Sequence, residues 1–466
     1  MTPRNLLVVF GDEMRAQAMA CAGDPNVRTP NMDRLAAEGC RFTRAYANTP
    51  VCTPARGTLL TGLFPIRHGA VVNDLPIRTD VPSIAYALRH AGYRCGYIGK
   101  WHLGGIPRYR FIPPGPERLG FDDYWAVWNC HHDYFDPKYF LDEPEPIFAD
   151  GYEPTVQTDL ALRFMDEHLA LAADWPFCLF LSWGPPHSPY EPWPPGSERW
   201  YDPAKLVLPP NCPDTQQHRR DLAGYYAHIT ALDIELGRIL DYLDARGLAD
   251  RTVVAFLSDH GSLLGSHGHY HKQQPWAESV MVPFILRAPH LIAAGKESDL
   301  LIGLLDFAPT ALGLLRQPVV TRMEGRDLSP QIAQGAPKPR RVIYLSEMVC
   351  TDQAVRQGIR PWRAVKTDEY TYVRNIDGPW LLYDDAGDPY QLDNRIDDPR
   401  LADVRRRLDE ALQEKIQAFD DPLLDVDAAL DRLGIREVFQ RRTEHLYADG
   451  NMGGSWPGRP PKGRAR

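Results

Sequence analysis

Short uninterrupted apolar runs alternate along this chain with longer segments of helical periodicity. Residues 5–10 (NLLVVF), 94–98, 177–183 (FCLFLSW), 252–257 (TVVAFL) and 282–286 read as strands. The runs show little polar alternation, as expected of strands buried on both faces of a parallel sheet. Between them fall predicted helices. One spans 31–38 and stops at Gly39. Another spans 83–91, with Ser83 as its N-cap and Gly92 past its end. Further helices are predicted over 155–173, 217–246 and 306–315, the last capped by Asp306. In the longest, Leu222, Tyr225, Tyr226, Ile229, Leu232 and Ile239 recur at helical spacing.

Strand–helix alternation predicts an α/β fold: a large, mostly parallel sheet sandwiched by helices. The polar segment 331–340, with its Gly and Pro, reads as a linker. Strand-like runs at 342–345, 363–365, 370–374 and 380–383 precede a helix over about 399–419. This is a smaller C-terminal α+β domain with an antiparallel sheet. The division is therefore 1–335, 336–425 and a C-terminal extension, 426–466. Prolines crowd 113–116 and 185–195, as in stiff loops around a site mouth.

Charge narrows the partners. The 52 basic and 61 acidic residues leave a net charge of −9, so nucleic acid is not expected as a partner. The only basic stretch, Arg459–Arg466, reads as a frayed tail. The eight cysteines contain no C-x-x-C pair, which argues against a disulfide framework or zinc ribbon. No apolar run is long enough for a signal peptide or a membrane span, and a cytoplasmic location is the expectation.

Chemistry gathers where strands end. Asp12 and Glu13 follow the first strand, and Lys100 and His102 the second. His187 follows the third, and Asp259 and His260 the fourth. Ligands of open α/β sheets bind at the carboxyl ends of strands, so these residues are expected to share one rim. Asp12, Glu13, Asp259 and His260 suit a hard divalent cation, Ca²⁺ first, with Mg²⁺ or Mn²⁺ also admitted. Lys100, His102, His187 and Arg56 are cationic groups beside it and call for an anionic substrate. His102 or His187 is a candidate general acid.

Cys52 stands just before Pro54, at an expected helix N-terminus, where an anion is favoured and a thiol is acidified. Val51-Cys52-Thr53-Pro54-Ala55-Arg56-Gly57 resembles the C-x-P-x-R signature of the sulfatase family. Gly92-Tyr93 through Gly99-Lys100-Trp101-His102-Leu103-Gly104 is similar to its second signature. Leu257-Ser258-Asp259-His260-Gly261, followed by Gly265, His267 and Lys272, resembles its metal and leaving-group segment. Trp380–Asp384 and Asp388–Leu392 resemble its C-terminal stretch. The resemblance runs from Asn5 to about Asp421 and implies an alkaline-phosphatase-like fold.

It also implies that a maturation enzyme oxidises Cys52 to formylglycine, whose hydrate attacks sulfur with help from a carboxylate, Asp259. His187 and Lys272 then assist the departing alcohol. His102 deprotonates the second hydroxyl, which expels sulfate. Arg56 and Lys100 hold the diol. Asp12, Glu13, Asp259 and His260, with the modified Cys52, match the metal site. Many members carry Asp where Glu13 stands and Asn where His260 stands. The Asp-His pairing resembles branches acting on sugar sulfates, choline sulfate and phosphonate monoesters. The expected substrate is a small carbohydrate sulfate. Its rivals are a phosphonate or phosphate ester, an aryl sulfate and, from another class, a silent binder of sulfated ligands.

Two further groups were expected near the substrate. His131, His132 and Tyr134 lie in an aromatic, loop-like segment with Trp125 and Trp128, a candidate sugar platform. His267, with His269 and His271, reads as structural or pocket-lining rather than as a second metal site.

Overall fold

The computed structural model describes residues 5–448. Its large sheet has eight strands. They are β1 (Asn5–Asp12), β2 (Cys40–Phe42), β3 (Arg94–Lys100), β4 (Tyr124–Trp128), β5 (Phe177–Pro186), β6 (Thr252–Ser258), β7 (Phe284–Arg287) and β8 (Lys296–Ser298). Their order is β8-β2-β7-β6-β1-β5-β3-β4. The five strands from β6 to β4 are mutually parallel. Only β7 runs antiparallel to both of its neighbours.

β1 lies at the centre because it is apolar on both faces. Leu6, Val8 and Phe10 enter one core, and Leu7 and Val9 the other. The first core is closed by α2 (Cys52–Thr61), α3 (Ile84–His90) and α6 (Phe307–Leu314). The second is closed by α1 (Pro30–Glu38), α4 (Glu153–Ala172) and α5 (Gln216–Ala245). Ser83 caps α3 as expected, accepting from the Tyr86 N–H at 3.0 Å. Asp306 does not cap α6. Its carboxylate reaches back to the Gly303 N–H at 2.8 Å, one short turn earlier, and also accepts from Arg326 N and Arg341. The segment expected as a linker holds part of a helix, Ser329–Ala333.

The smaller sheet is an antiparallel meander of β9 (Ile343–Glu347), β10 (Trp362–Lys366), β11 (Tyr370–Asn375) and β12 (Gly378–Asp384). One face packs on α7 (Ala402–Phe419) through Tyr344, Tyr372, Leu408 and Leu412. The other packs on Leu263, Trp276 and Val280 of the loop that follows β6. This sheet therefore backs the loop carrying Lys272. The chain then forms α8 (Val426–Leu433) and α9 (Arg436–Ala448), where only an extension was expected. The tail expected to fray, 459–466, lies outside the described residues. Among the described residues no helix is long and apolar enough to cross a membrane.

Candidate active site

The parallel strands deliver their polar ends to one rim, as the sequence pattern required. Glycine makes one of these turns sterically affordable. Gly99 has φ +99°, and a Cβ there would lie 2.0 Å from the Ser182 carbonyl oxygen. Without it β3 could not pass β5 closely enough to present Lys100. Glu13 and His102 themselves hold left-handed backbones, φ +65° and +57°. Such conformations in non-glycine residues cluster at functional sites.

Cys52 is the first residue of α2, and every residue of this helix is buried. Its Sγ lies 3.1 Å from His260 Nε2 and 3.7 Å from Asp12 Oδ1. Burial and the Asp12 charge oppose a thiolate, yet Lys100, Lys272 and His260 outweigh them and hold the thiol well below its ordinary value. Arg56 lies one turn on, on the same face of α2. Its Nε donates to Asp259 Oδ2 at 2.9 Å and its Nη2 to Asp12 Oδ2 at 3.2 Å. Its Nη1 donates to Ser182 Oγ and the Lys100 carbonyl, both at 2.7 Å. Lys100 Nζ pairs with Asp12 Oδ2.

Asp12, Cys52, Asp259 and His260 offer donor atoms that all lie within 4.8 Å of one another. His260 Nδ1 is 2.9 Å from the Gly261 carbonyl oxygen. Against the cost of burial, Asp259 raises the ring to about 9, so Nε2 would give up its proton to ligate a cation while Nδ1 kept its own. Two carboxylates and one imidazole fit a hard divalent cation. Glu13 belongs instead to a second such group, with Asp12 and His187, whose donor atoms also lie within 4.8 Å of one another. Its carboxylate accepts from Ser262 Oγ at 2.9 Å and from Lys272 Nζ at 2.7 Å, and His187 Nε2 lies 3.1 Å away.

His102 Nε2 is 2.9 Å from Asp74 Oδ1, and Arg108 grips the same carboxylate through Nε and Nη2 at 2.7 and 2.8 Å. Burial disfavours a charged His102, but the Cys130 thiolate and Asp74 outweigh it and raise the ring to about 10. His102 therefore rests as a cation, and the expected base role requires prior loss of that proton. His187 differs. Burial and the Lys272 charge press it down to about 4. Neither Asp74 nor Arg108 was singled out from the sequence. The only sign of Asp74 was a polar pair, Asn73-Asp74, between apolar residues.

A cavity of about 490 Å³ opens over Cys52, His102, His187 and Lys272. His132 lines it and stacks on His187, ring centroids 4.1 Å apart. The other expected substrate residues do not reach it. His131 is buried, with Nε2 3.1 Å from Glu153 Oε1. Tyr134 is buried too, and its hydroxyl donates to the His187 carbonyl oxygen at 2.8 Å, so it positions His187 from behind. His267 stacks on Trp276 at 4.6 Å and contacts Asn211, away from the cavity. His269 joins the same stack, whereas His271 lines the cavity, so the three histidines form no common site. Trp125 and Trp128 are no sugar platform: they belong to β4 and are buried.

Gln273, next to Lys272, is a further residue the sequence did not mark. Its amide donates to Glu347 Oε1 at 3.0 Å and accepts from Thr351 Oγ1 at 3.0 Å. Its backbone carbonyl accepts from Trp362 Nε1 at 2.9 Å. The smaller sheet thereby fixes the Lys272 loop.

The family model "Sulfatase" matches residues 4–317, and that for "N-sulphoglucosamine sulphohydrolase, C-terminal" matches 265–418. The chain belongs to the sulfatase family and is a sulfuric ester hydrolase of the alkaline-phosphatase-like superfamily. It is 36% identical over 426 residues to the ulvan-active sulfatase of Formosa agariphila, covering 90% of this chain and 82% of that one. It is 25% identical to an N-acetylglucosamine-6-O-sulfatase of Bacteroides thetaiotaomicron, over 94% and 90% of the two chains. A solved sulfatase from work on glycosaminoglycan metabolism in the same bacterium superposes with a TM-score of 0.80 at 27% identity, over 90% and 97% of the chains.

Proposed function

We propose that this enzyme removes sulfate from a small carbohydrate sulfate, using formylglycine made from Cys52 by a maturation enzyme, with Ca²⁺ as the metal. The observation that carries the reading is Cys52 itself: the buried first residue of α2, with its sulfur 3.1 Å from His260 and inside the Asp12–Asp259–His260 cluster. Sugar-directed sulfatases among its relatives support the substrate class.

Asp12, Asp259 and His260 would hold the cation, which supplies positive charge at the nucleophile and the sulfate oxygens. The hydrated aldehyde would supply one hydroxyl to attack sulfur and a second whose deprotonation re-forms the C=O bond and expels sulfate. Arg56 fixes both metal-side carboxylates and keeps their charge balanced. Lys100 and His102 place two further cations beside the reacting position, where negative charge develops on sulfate oxygens. Lys272 Nζ and His187 Nε2 already converge on one oxygen, Glu13 Oε2, at 2.7 and 3.1 Å. Lys272 can donate to the leaving oxygen of an ester placed there, and His187 can join it once its Nε2 is protonated. Lys272 is the resting cation of the pair. An entering anion raises His187 and lets it take up its proton.

The decisive test joins two measurements. The mass of the tryptic peptide containing Cys52, from protein made in its own host, reports whether the thiol has become an aldehyde. Rates on matched sulfate, phosphate and phosphonate esters of one sugar report the reaction. An intact thiol removes the diol mechanism. Faster phosphate or phosphonate turnover replaces the substrate assignment.

A further inference from the structure

The reacting end of the cavity comes from the strand ends of the large sheet, but its opposite wall does not. That wall is built by Ala354, Gln357 and Ile359 of the segment after β9, and by Arg442, Leu446 and Tyr447 of α9. α9 begins beyond residue 418, where the C-terminal family match ends. The helix is anchored firmly. Leu430 of α8 and Phe439 of α9 pack with Val71, Val72 and Leu75 on one side and Met348 and Val349 on the other. Arg442 Nε donates to the Asn73 carbonyl oxygen at 2.8 Å, beside Asp74, the partner of His102. One turn later Leu446 and Tyr447 come over the cavity.

The two ends of the cavity differ in chemistry. His102, His187 and Lys272 make the inner end polar and cationic, suited to sulfate. At the outer end Leu446 is 2% exposed and Tyr447 38%, and the Arg356 guanidinium lies 5.0 Å from the Tyr447 ring centroid. Arg356 stiffens this ring from outside. An anion held at the inner end thus shares its enclosure with one exposed aromatic ring, Tyr447.

We propose that α9 is the wall that selects the alcohol half of the substrate. Tyr447, the exposed aromatic side chain of this wall, takes the C–H face of a sulfated pyranose ring whose sulfate occupies the Cys52 end, and the buried Leu446 supports the wall. This rests on the sugar-sulfatase reading above and adds the residues that recognise the ring. It makes Tyr447, supported by Leu446, a specificity residue contributed by a part of the chain outside both family matches.

The test compares Tyr447→Ala, Tyr447→Phe and Leu446→Ala with wild type, using the fastest substrate from a set of sulfated monosaccharides. Inorganic sulfate, which fills only the inner end, serves as a competitive inhibitor. Tyr447→Ala should raise KM about tenfold, with kcat within about twofold and the sulfate inhibition constant unchanged, while Tyr447→Phe restores KM. Leu446→Ala should act in the same direction. Unchanged KM in both alanine variants, or an equal weakening of inorganic sulfate, would overturn the wall. A wild-type enzyme that frees sulfate from none of the sugars would instead overturn the underlying reading, which separates the two failures.

Discussion

Lys272 Nζ donates to Glu13 Oε2 at 2.7 Å, joining residues at the ends of two different strands' loops, 259 positions apart in the chain. Both groups are buried, and His187 Nε2 approaches the same oxygen. Burial alone would keep Glu13 neutral, but Lys272 and His187 hold it well below the carboxylate range. In the proposed mechanism this keeps a charged donor ready beside the leaving oxygen. Lys272→Met should lower kcat/KM by about 10² to 10⁴. The loss should be larger for substrates with poorly leaving alcohols, so the plot of rate against alcohol pKa should steepen. An equal loss for all alcohols would remove Lys272 from leaving-group chemistry.

Gln273 locks that lysine's loop to the smaller sheet. Gln273→Leu removes both side-chain hydrogen bonds, to Glu347 and Thr351. Turnover should fall about tenfold or more with KM little changed, because a small misplacement of a catalytic group is costly. Full turnover in a folded Gln273→Leu enzyme would show that the lysine needs no such support.

Glu347 is buried, and its Oε2 has no hydrogen-bond partner. Burial raises its carboxyl to about 8 from the ordinary 4.5. The fold therefore prefers the protonated acid. Stability is fullest below pH 4.5 and, as far as this residue decides it, is lost as pH rises towards 8. Glu347→Gln stays neutral throughout. Its thermal midpoint should gain on wild type between pH 5 and pH 9, by the equivalent of a few kcal/mol, on the order expected for so large a shift. Parallel midpoints across that range would contradict a neutral Glu347.

Asp74 acts on His102 through charge and geometry. His102, raised to about 10, adds stability that is complete below its ordinary 6.5 and is lost as pH rises through 10. Asp74→Asn should lower the His102 pKa, read by NMR of the imidazole. It should also destabilise the protein by about 3–5 kcal/mol, because Arg108 loses its buried partner. An unmoved imidazole titration would show that Asp74 does not set the charge of His102.

Cys52→Ser tests the need for two hydroxyls. A serine can accept sulfate, but it has no second hydroxyl with which to expel it. One equivalent of alcohol should be released in a burst, and intact-mass measurement should find the protein sulfated. Steady turnover by Cys52→Ser would refute the diol nucleophile.

The metal can be tested without turnover. A chelator should lower the thermal midpoint, and Ca²⁺ should restore it. A bound ion at 100 times its dissociation constant contributes about 2.7 kcal/mol. A midpoint indifferent to chelator and to added Ca²⁺, Mg²⁺ and Mn²⁺ would rule out a cation as a structural part of the cluster.

The sequence by itself determined the sheet and which polar residues gather at its rim. Runs such as Leu6–Val9 can be buried on two faces only in the middle of a covered sheet, and polar residues directly after such strands must meet at its carboxyl rim. Local chemistry also marked Cys52 and Arg56, which share a helix face because they are four residues apart. Tertiary structure alone decided what lies between elements. Glu13 and Asp12 are neighbours with the same charge, yet backbone direction sends one to Lys272 and the other to Arg56 and Lys100. Tyr134 reads from the sequence as part of an aromatic, loop-like sugar platform, but its burial behind His187 depends on β5 and α4 packing around it. Gln273 and the α9 wall left no local signal, and Asp74 only the polar pair it forms with Asn73. Each acquires its role from a partner dozens to hundreds of residues away, and side-chain periodicity carries no information about such distances.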